Sequence, residues 1–420
     1  MRPRLGIYIH IPFCASKCSY CDFYSLSGCD YLMPEYQDAL MDHIEESSQA
    51  IKNYEVDSIY FGGGTPSFYG ADRIAEIFNL LKLNGNVRID SEVTVECNPD
   101  SISANALKLL REEGVNRLSI GFQATDNDLL KLIGRRHNFQ QAKRSFQEAR
   151  KAGFDNISID LMYGLPSQTK NDWAATLSEI VTLHPEHISC YALKLEPGTR
   201  MYEEYHDSPI LPDDDEQADM YSYTVEMLER YGYRQYEISN FAAPGYESRH
   251  NLKYWNLDDY MSFGPGAHSC IGNLRYSYVK DLKQYIYGIG KNISIIDEYE
   301  RIDTLERANE YVMLAMRTSR GMSEHDYRTR CQYDWKCVEE VLLAFEEKGW
   351  AEQTGDRWHF TTPGFLISNT LIGILIEAQT EGRAAGIPWV HRADKAASRV
   401  ILPKSEEELF AELYRPEPKG

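Results

Sequence analysis

Hydrophobic and polar positions alternate with two different periods along most of the chain. Short β-branched runs end in Gly or Pro turns, and segments with an apolar residue at every third or fourth position follow them. Alternating strand and helix signals predict parallel βαβ units, and six units predict an open or partial barrel. The six strand candidates are "LGIYIHI", "VDSIYFGGG", "SEVTVECNP", "NRLSIGFQ", "NISIDLMYG" and "HISCYALKL".

The remaining sequence has a different character. Residues 1–240 are expected to form the barrel, and residues 241–300, which are rich in Tyr, Gly and Asn, to connect it to a second domain. Residues 301–376 predict helices and a short hairpin, similar to a winged helix, and residues 377–420 an appended tail. The expected fold class is therefore α/β, a partial (β/α)6 barrel followed by a smaller, mainly helical domain.

Composition narrows the functional classes. The 420 residues are 43% hydrophobic, which supports a sizeable core, and no apolar run reaches eighteen residues. The first apolar stretch alternates and contains His10 and Pro12, so it predicts a strand rather than a signal peptide, in a cytoplasmic protein. Lys and Arg total 44 against 64 Asp and Glu, and the net charge of −20 disfavours nucleic acid as a partner.

Unusual residues follow the predicted strands at their carboxyl ends. Three cysteines, Cys14, Cys18 and Cys21, come after the first strand, and "GGGTP", "ECNPD", "GFQ" and "DLMYGLP" end later ones. In parallel α/β folds the loops at this edge converge on the active site. The pattern therefore predicts one shared site.

The cysteine spacing limits what this site can hold. Thiolates in a short loop suit zinc or iron–sulfur clusters. Structural zinc needs four ligands, yet Cys29 lies eight residues beyond Cys21 and no second cysteine pair follows. A CxxxCxxC loop leaves one iron of a 4Fe–4S cluster free to bind a small molecule. The spacing favours the cluster, while zinc and a redox-active thiol group stay open; Cys97 and Cys190, within strands, are predicted core thiols.

The stretch "YIHIPFCASKCSYCDF" resembles the cluster loop of the radical S-adenosylmethionine superfamily. That resemblance implies a partial barrel and S-adenosylmethionine chelating the open iron. It narrows to the branch of oxygen-independent coproporphyrinogen oxidases and HemW-type heme chaperones, through "YFGGGTPS", "RLSIGFQATDNDLLKLIGRRH", "ISIDLMYGLPSQT" and "YEISNFAAPGYESRHNLKYW". It covers most of residues 5–376.

By position, the resemblance implies that Cys14, Cys18 and Cys21 bind the cluster. It implies that these residues contact the cluster or S-adenosylmethionine: Tyr8, Tyr20, Gly62, Gly63, Gly64, Thr65, Glu96, Gln123, Arg135, Asp160 and Lys194. Arg135 is expected to pair with the methionine carboxylate, and Asp160 to accept from ribose hydroxyls; Lys194 departs from the family in residue type. Taken singly, Glu96 and Asp160 could be strand-end carboxylates bonded to backbone amides, and Arg135 a solvated helix end.

Two features separate the oxidase from the chaperone. The oxidase loop resembles CxxxCxxCxC, whereas Phe23 stands here at the fourth cysteine position. The chaperone motif HNxxYW is present as "HNLKYW", residues 250–255, and implies that His250 binds heme iron. Tyr254 and Trp255 would supply flat faces, and Arg249 would pair with a propionate.

The same segment could instead be a loop packed on the barrel mouth. A competing iron-binding pair, His268 and Cys270 in "GPGAHSC", ranks second to His250 because its glycine-flanked context predicts a tight turn.

The sequence thus predicts a heme chaperone with a 4Fe–4S cluster and S-adenosylmethionine. It would deliver heme to an acceptor hemoprotein, including one at a membrane, and the cofactors would serve assembly, homodimerisation or regulated transfer rather than porphyrinogen decarboxylation. The alternative is an oxygen-independent coproporphyrinogen III oxidase, a radical decarboxylase. A zinc-stapled winged-helix regulator is a third interpretation, against which the charge and the six βα units both argue.

Overall fold

The computed structural model describes residues 2–331 and 334–384. Its strands are β1 (Arg4–Ile11), β2 (Phe13–Cys14), β3 (Leu26–Ser27), β4 (Glu55–Gly63), β5 (Val87–Cys97), β6 (Arg117–Gln123), β7 (Ile157–Tyr163), β8 (His187–Ala192), β9 (Arg234–Glu237), β10 (Asn240–Ala242), β11 (Tyr260–Phe263), β12 (His268–Ile271), β13 (Leu274–Tyr278), β14 (Ile296–Arg301), β15 (Met322–Ser323), β16 (Ala351–Thr354) and β17 (Arg357–Phe360). The helices are α1 (Met33–Glu46), α2 (Ser48–Ile51), α3 (Pro66–Tyr69), α4 (Ala71–Asn84), α5 (Ala104–Glu113), α6 (Asn127–Leu132), α7 (Phe139–Lys151), α8 (Lys170–Val181), α9 (Arg200–Tyr205), α10 (Asp214–Arg230), α11 (Arg249–Asn256), α12 (Leu282–Lys291), α13 (Thr304–Ala315), α14 (Glu324–Cys331), α15 (Trp335–Glu347), α16 (Thr362–Leu366) and α17 (Ser368–Ala384).

The six predicted strands form the parallel centre of the main sheet. They are β1, β4, β5, β6, β7 and β8, and each pairs in parallel with the next. The twelve strands of this sheet run in the order β14-β13-β12-β11-β1-β4-β5-β6-β7-β8-β10-β9. The predicted partial (β/α)6 barrel is confirmed.

Strand β6 shows why the barrel interior is polar. Its apolar residues Leu118, Ile120 and Phe122 are fully buried in the core, whereas the alternate residues line the internal cavity. Those alternate residues are Arg117, Ser119, Gly121 and Gln123. Because successive strand side chains point to opposite faces, one face packs and the other is left for a ligand.

Residues 241–300 extend the main sheet. Strand β11 pairs in parallel with β1, and β12, β13 and β14 continue the sheet as antiparallel neighbours. These strands span four to six residues each, too few for the clear periodicity that the barrel strands show. Helix α11, which carries the whole "HNLKYW" motif, lies in the same region.

The C-terminal part of the described chain is mainly helical, as predicted. Helices α13 to α17 accompany a three-stranded antiparallel sheet in the order β15-β17-β16. The winged-helix detail and the limits at residues 240, 300 and 376 stay predictions. Helix α17 runs on to Ala384, and residues 385–420 of the predicted tail lie outside the described residues. None of the described helices combines the length and apolar character that crossing a bilayer requires.

Candidate functional site

A cavity of about 430 Å³ lies inside the barrel and gathers most of the predicted site residues. It is lined by Cys14, Cys18, Tyr20, Cys21, Gly63, Gly64, Thr65, Glu96, Gln123, Arg135, Asp160 and Lys194. Tyr8, Gly62 and His250 lie outside this lining. Side chains from six strands and their loops therefore converge on one space, which we call the barrel cavity.

The three cysteines of the loop are half-buried at the barrel cavity. The Thr65 hydroxyl lies 3.3 Å from Cys14 Sγ, and burial raises the pKa of the Cys14 and Cys21 thiols. These thiols need positive charge nearby to ionise, and a coordinated metal supplies it. Among the described residues, no three His, Cys, Asp or Glu side chains form a group that could hold a single metal ion. Three thiols facing one cavity fit a cluster with one open iron.

The glycine turn packs tightly against the end of β1 and against Phe13, just before Cys14. Gly63 has φ of +108°, and a Cβ there would lie 2.5 Å from His10 Cε1. A Cβ on Gly64 would lie 2.7 Å from the Phe13 carbonyl oxygen, and one on Gly62 would lie 2.9 Å from the Tyr60 ring. Side chains are thus excluded by the protein's own packing; a role of these glycines in approaching methionine stays a prediction.

Glu96 is half-buried beside the glycine turn and bonded on both oxygens. It accepts hydrogen bonds from the Tyr60 hydroxyl at 2.9 Å and from the Gly63 backbone N–H at 3.2 Å. Burial, with a smaller contribution from the charge of Asp160, raises its pKa to about 7. The carboxyl group can therefore gain or lose a proton near neutral pH.

Asp160 accepts hydrogen bonds from three serine hydroxyls rather than from backbone amides. Ser119 and Ser189 donate at 2.7 Å and Ser158 at 3.1 Å. A ribose hydroxyl would have to compete with these bonds, so the predicted contact to S-adenosylmethionine stays a prediction.

Arg135 reaches into the barrel cavity and is not a solvated helix end. Its guanidinium donates to the side-chain oxygen of Asn98 and to the Gly121 carbonyl, both at 2.7 Å, and lies 3.6 Å from Cys18 Sγ. A cation beside the sulfur stabilises a thiolate. Lys194, by contrast, is 82% exposed at the cavity lining and pairs with Glu196.

His250 is enclosed in the fold. Its side chain is buried on α11, with Nδ1 3.0 Å from the Ser58 hydroxyl and Nε2 2.9 Å from the Tyr254 hydroxyl. Burial, reinforced by the charge of Lys253, lowers its pKa to about 3. Both ring nitrogens are engaged, so iron binding by His250 would require breaking one of these bonds.

The other members of the motif separate in space. Tyr254 and Tyr8 line a second cavity, whereas Trp255 lines a small pocket against the C-terminal helices. The Arg249 guanidinium donates to the Asp90 carbonyl at 2.6 Å, away from either cavity lining. Asn251 lines the barrel cavity, a placement that the sequence did not predict.

The second cavity has a volume of about 560 Å³ and is rich in aromatic rings, and we call it the aromatic cleft. Its rings come from Tyr8, Phe23, Tyr24, Tyr254, Tyr260 and Tyr278. His268 and Lys280 line it as exposed side chains, and no hydrogen bond joins the His268 imidazole to any other described residue. Cys270 is buried and lies 3.8 Å from Arg307, outside the cleft lining.

The two cavities are neighbours. Asp22 and Phe23, directly after Cys21, line both of them. The Tyr8 ring in the cleft stacks at 6.2 Å from the Tyr60 ring in the barrel cavity. A ligand in one cavity would therefore lie one side chain away from the other.

Several lining residues were missed from the sequence. These are Tyr60, Asn98, Arg117, Ser119, His187, Ser189, Tyr191 and Asn251. The signal was present in "NRLSIGFQ", where Arg, Ser, Gly and Gln alternate with Leu, Ile and Phe. Polar residues at every second position of a central strand indicate a ligand-facing interior.

Comparisons with known proteins agree with this geometry. Residues 8–180 match the Radical SAM superfamily model. The chain is 36% identical over 372 residues to a Bacillus subtilis protein named heme chaperone HemW, covering 88% of this chain and 98% of that protein. The chain belongs to the HemW family. A HemW family member from Escherichia coli is 30% identical over 384 residues, covering 89% and 98% of the two chains.

The solved structure of coproporphyrinogen III oxidase HemN from Escherichia coli, described as a radical SAM enzyme, matches with a TM-score of 0.78. The match covers 89% of this chain and 90% of that one at 23% sequence identity. This likeness establishes the fold that the HemW family shares with HemN.

Proposed function

We propose that this HemW-family protein is a heme chaperone that binds heme and passes it to an acceptor hemoprotein. The observation that carries the proposal is the aromatic cleft, which places an unpartnered imidazole beside several flat rings. A heme macrocycle is flat and apolar with an iron that binds imidazole, so these are the groups it needs. The names of the curated relatives support the same function.

The barrel cavity fits the cofactors of the superfamily. Cys14, Cys18 and Cys21 would hold a 4Fe–4S cluster, and Arg135 would stabilise the negative charge beside Cys18. A bound cluster with S-adenosylmethionine would supply one-electron chemistry at this point. The chain itself contributes part of the enclosure, because Glu96 accepts a hydrogen bond from the Gly63 backbone N–H and both residues line the cavity.

His268 is the proposed iron ligand, in place of the sequence preference for His250. An iron ligand needs a free nitrogen lone pair, and the His268 ring has no partner among the described residues. Lys280, on the same cleft, would pair with a heme propionate. The aromatic residue Tyr254 would connect the HNxxYW motif to heme through ring contact rather than through its histidine.

A heme titration tests this assignment. We expect heme to produce a Soret shift in the wild type. His268→Ala should weaken the affinity for heme at least about tenfold. His250→Ala should keep the Soret position, and His325→Ala, which changes an exposed histidine on α14, serves as the matched control. An unchanged spectrum in His268→Ala together with a lost spectrum in His250→Ala would return the ligand role to His250.

Transfer is tested with heme-loaded protein and an apo-hemoprotein, with apomyoglobin as a passive sink. Chaperone function predicts faster transfer to the true acceptor than to apomyoglobin, and the proposed acceptors include a membrane-bound hemoprotein.

The proposed homodimer is tested by sedimentation with and without reconstituted cluster. Sustained vinyl formation from coproporphyrinogen III, S-adenosylmethionine and reductant would favour the oxidase instead; Phe23 at the fourth cysteine position argues against it.

A further inference from the structure

The barrel cavity contains a buried arginine that the chemistry described above does not use. Arg117 is the first residue of β6, is 1% exposed to solvent, and lines the barrel cavity. Its Nε atom has no hydrogen-bond partner among the described residues, and none of the carboxylates described forms an ion pair with it. The charge of Glu92 favours the charged guanidinium, but a buried charge without a hydrogen-bonded partner is still costly, so the fold retains it at the expense of stability.

The neighbouring acidic groups are already committed elsewhere. Glu92, on the adjacent strand β5, accepts from the backbone N–H groups of Arg249 and His250 at 2.9 and 3.0 Å. Asp160, on the other neighbouring strand, is bonded to three serine hydroxyls. The guanidinium thus keeps its donors available to a molecule in the cavity.

We propose that Arg117 anchors a carboxylate of a molecule bound in the barrel cavity. A guanidinium presents parallel N–H groups that match a carboxylate in a bidentate pair. Asn251 lines the same cavity and brings a side-chain amide from the HNxxYW motif. The anchor would therefore link the family motif to ligand binding without using His250.

This carboxylate is distinct from one held beside the cysteines. Arg135 contacts Cys18 and lies at the cysteine end of the cavity. Arg117 is six residues before Gln123 on β6, roughly 20 Å along an extended strand. A methionine carboxylate bound at the cluster is thus served by Arg135, and Arg117 takes a carboxylate that reaches deeper into the barrel.

Two sources share this chemistry. A heme propionate that extends from the aromatic cleft into the barrel cavity is the expected source, and that choice rests on the proposed function. The amino-acid carboxylate of an S-adenosylmethionine molecule bound deeper in the barrel is the other. Both would be recognised through the same planar group, so the experiment includes a carboxylate-free partner for each.

The test measures binding of heme, heme dimethyl ester, S-adenosylmethionine and its decarboxylated analogue to the full-length protein. We expect the wild type to bind heme at least about tenfold more tightly than the ester. Arg117→Met should lose most of this preference, keeping only the share that Lys280 supplies, while binding the ester as the wild type does. Arg111→Met is the matched control, because Arg111 donates to the Gly153 carbonyl on the surface, and Lys280→Met measures the share of the second cation.

A weakened affinity of Arg117→Met for S-adenosylmethionine, with the heme preference intact, supports the anchor and assigns it to the other source. If heme does not bind at all, the proposed function fails while the S-adenosylmethionine arm still tests Arg117. Unchanged binding of all four molecules to Arg117→Met overturns the anchor. Circular dichroism verifies folding, and Arg117→Gln is the second variant. Equal binding of each carboxylate and its carboxylate-free partner by the wild type overturns the proposal without any variant.

Discussion

The Nε2 atom of His250 lies 2.9 Å from the Tyr254 hydroxyl oxygen, one helical turn later on α11. Together with Ser58 on the other nitrogen, this bond occupies both ring nitrogens, and burial, reinforced by the charge of Lys253, lowers the pKa of the imidazole to about 3. Tyr254→Phe should lower the free energy of unfolding by about 1 kcal/mol and leave the heme Soret position unchanged. Spectral titration and urea unfolding measure the two effects.

A tighter heme complex in Tyr254→Phe would contradict this expectation. It would mean that the hydroxyl competes with iron for His250, so that releasing the ring increases the population able to bind.

The cluster assignment predicts that three cysteines are needed for cluster binding and that Cys29 is not. Replacing Cys14, Cys18 or Cys21 by Ser should abolish the broad brown absorbance after anaerobic reconstitution, because in this assignment each would supply one thiolate to the cluster. Iron and acid-labile sulfide per chain are the measurements. Cys29→Ser is the control, since Cys29 lies outside the barrel cavity lining; loss of the cluster in that variant would refute the three-cysteine site.

The glycine turn should tolerate no side chain. Gly63→Ala combines a positive φ with a Cβ 2.5 Å from the His10 ring, so we expect a loss of about 2 kcal/mol or more in the free energy of unfolding. Gly290→Ala is the control: a Cβ there meets nothing within 4 Å, and alanine favours the helix by up to about 1 kcal/mol. Equal stability of the two variants would contradict the packing described.

Glu92 connects the barrel to the helix of the HNxxYW motif. Its carboxylate accepts from two backbone N–H groups at the start of α11, which have no partner within the helix. Glu92→Ala should cost about 1–3 kcal/mol and raise amide hydrogen exchange in residues 249–256. Glu92→Gln keeps one oxygen acceptor and should lose less; an equal loss in both variants would mean that charge matters more than the hydrogen bonds.

Acid should destabilise the protein through buried histidines. Burial, with the charge of Arg135, lowers the pKa of His137 to about 4, although its bond to the Phe122 carbonyl opposes the shift. Between about pH 6.5 and 4 the unfolded chain therefore binds a proton that the folded chain does not. The free energy of unfolding should fall in that window by up to about 1.4 kcal/mol per pH unit for this group.

Urea unfolding at several pH values measures this slope. His137→Gln keeps an N–H donor for the Phe122 carbonyl but cannot titrate, so its slope should be shallower. An identical slope would show that other groups dominate the acid response.

Much of the barrel could be predicted because each strand carries its own signal. "NRLSIGFQ" alternates over the whole of β6, and the spacing in "CASKCSYC" favours an iron–sulfur cluster over zinc. The structure also brings Glu96, Arg135 and Asp160 to one cavity, as the family resemblance implied.

Other features depend on contacts that no local pattern encodes. The enclosure of His250 follows from Ser58, which lies 192 residues earlier on another strand. In the aromatic cleft Tyr8 lies with Tyr260, which belongs to β11, a four-residue strand too short to show a clear periodicity. The two candidate iron ligands, His250 and His268, therefore differ in solvent exposure, and exposure depends on the assembled fold.

The loop residues Asp22 and Phe23 form a common wall of both cavities. If occupancy on one side of this wall changes its position, the affinities on the two sides are linked, and linkage is reciprocal. If a reconstituted cluster changes the affinity for heme by some factor, bound heme changes the affinity for the cofactor by the same factor. A heme carrier with this common wall would release heme according to whether the barrel cavity is occupied, and no domain would have to move.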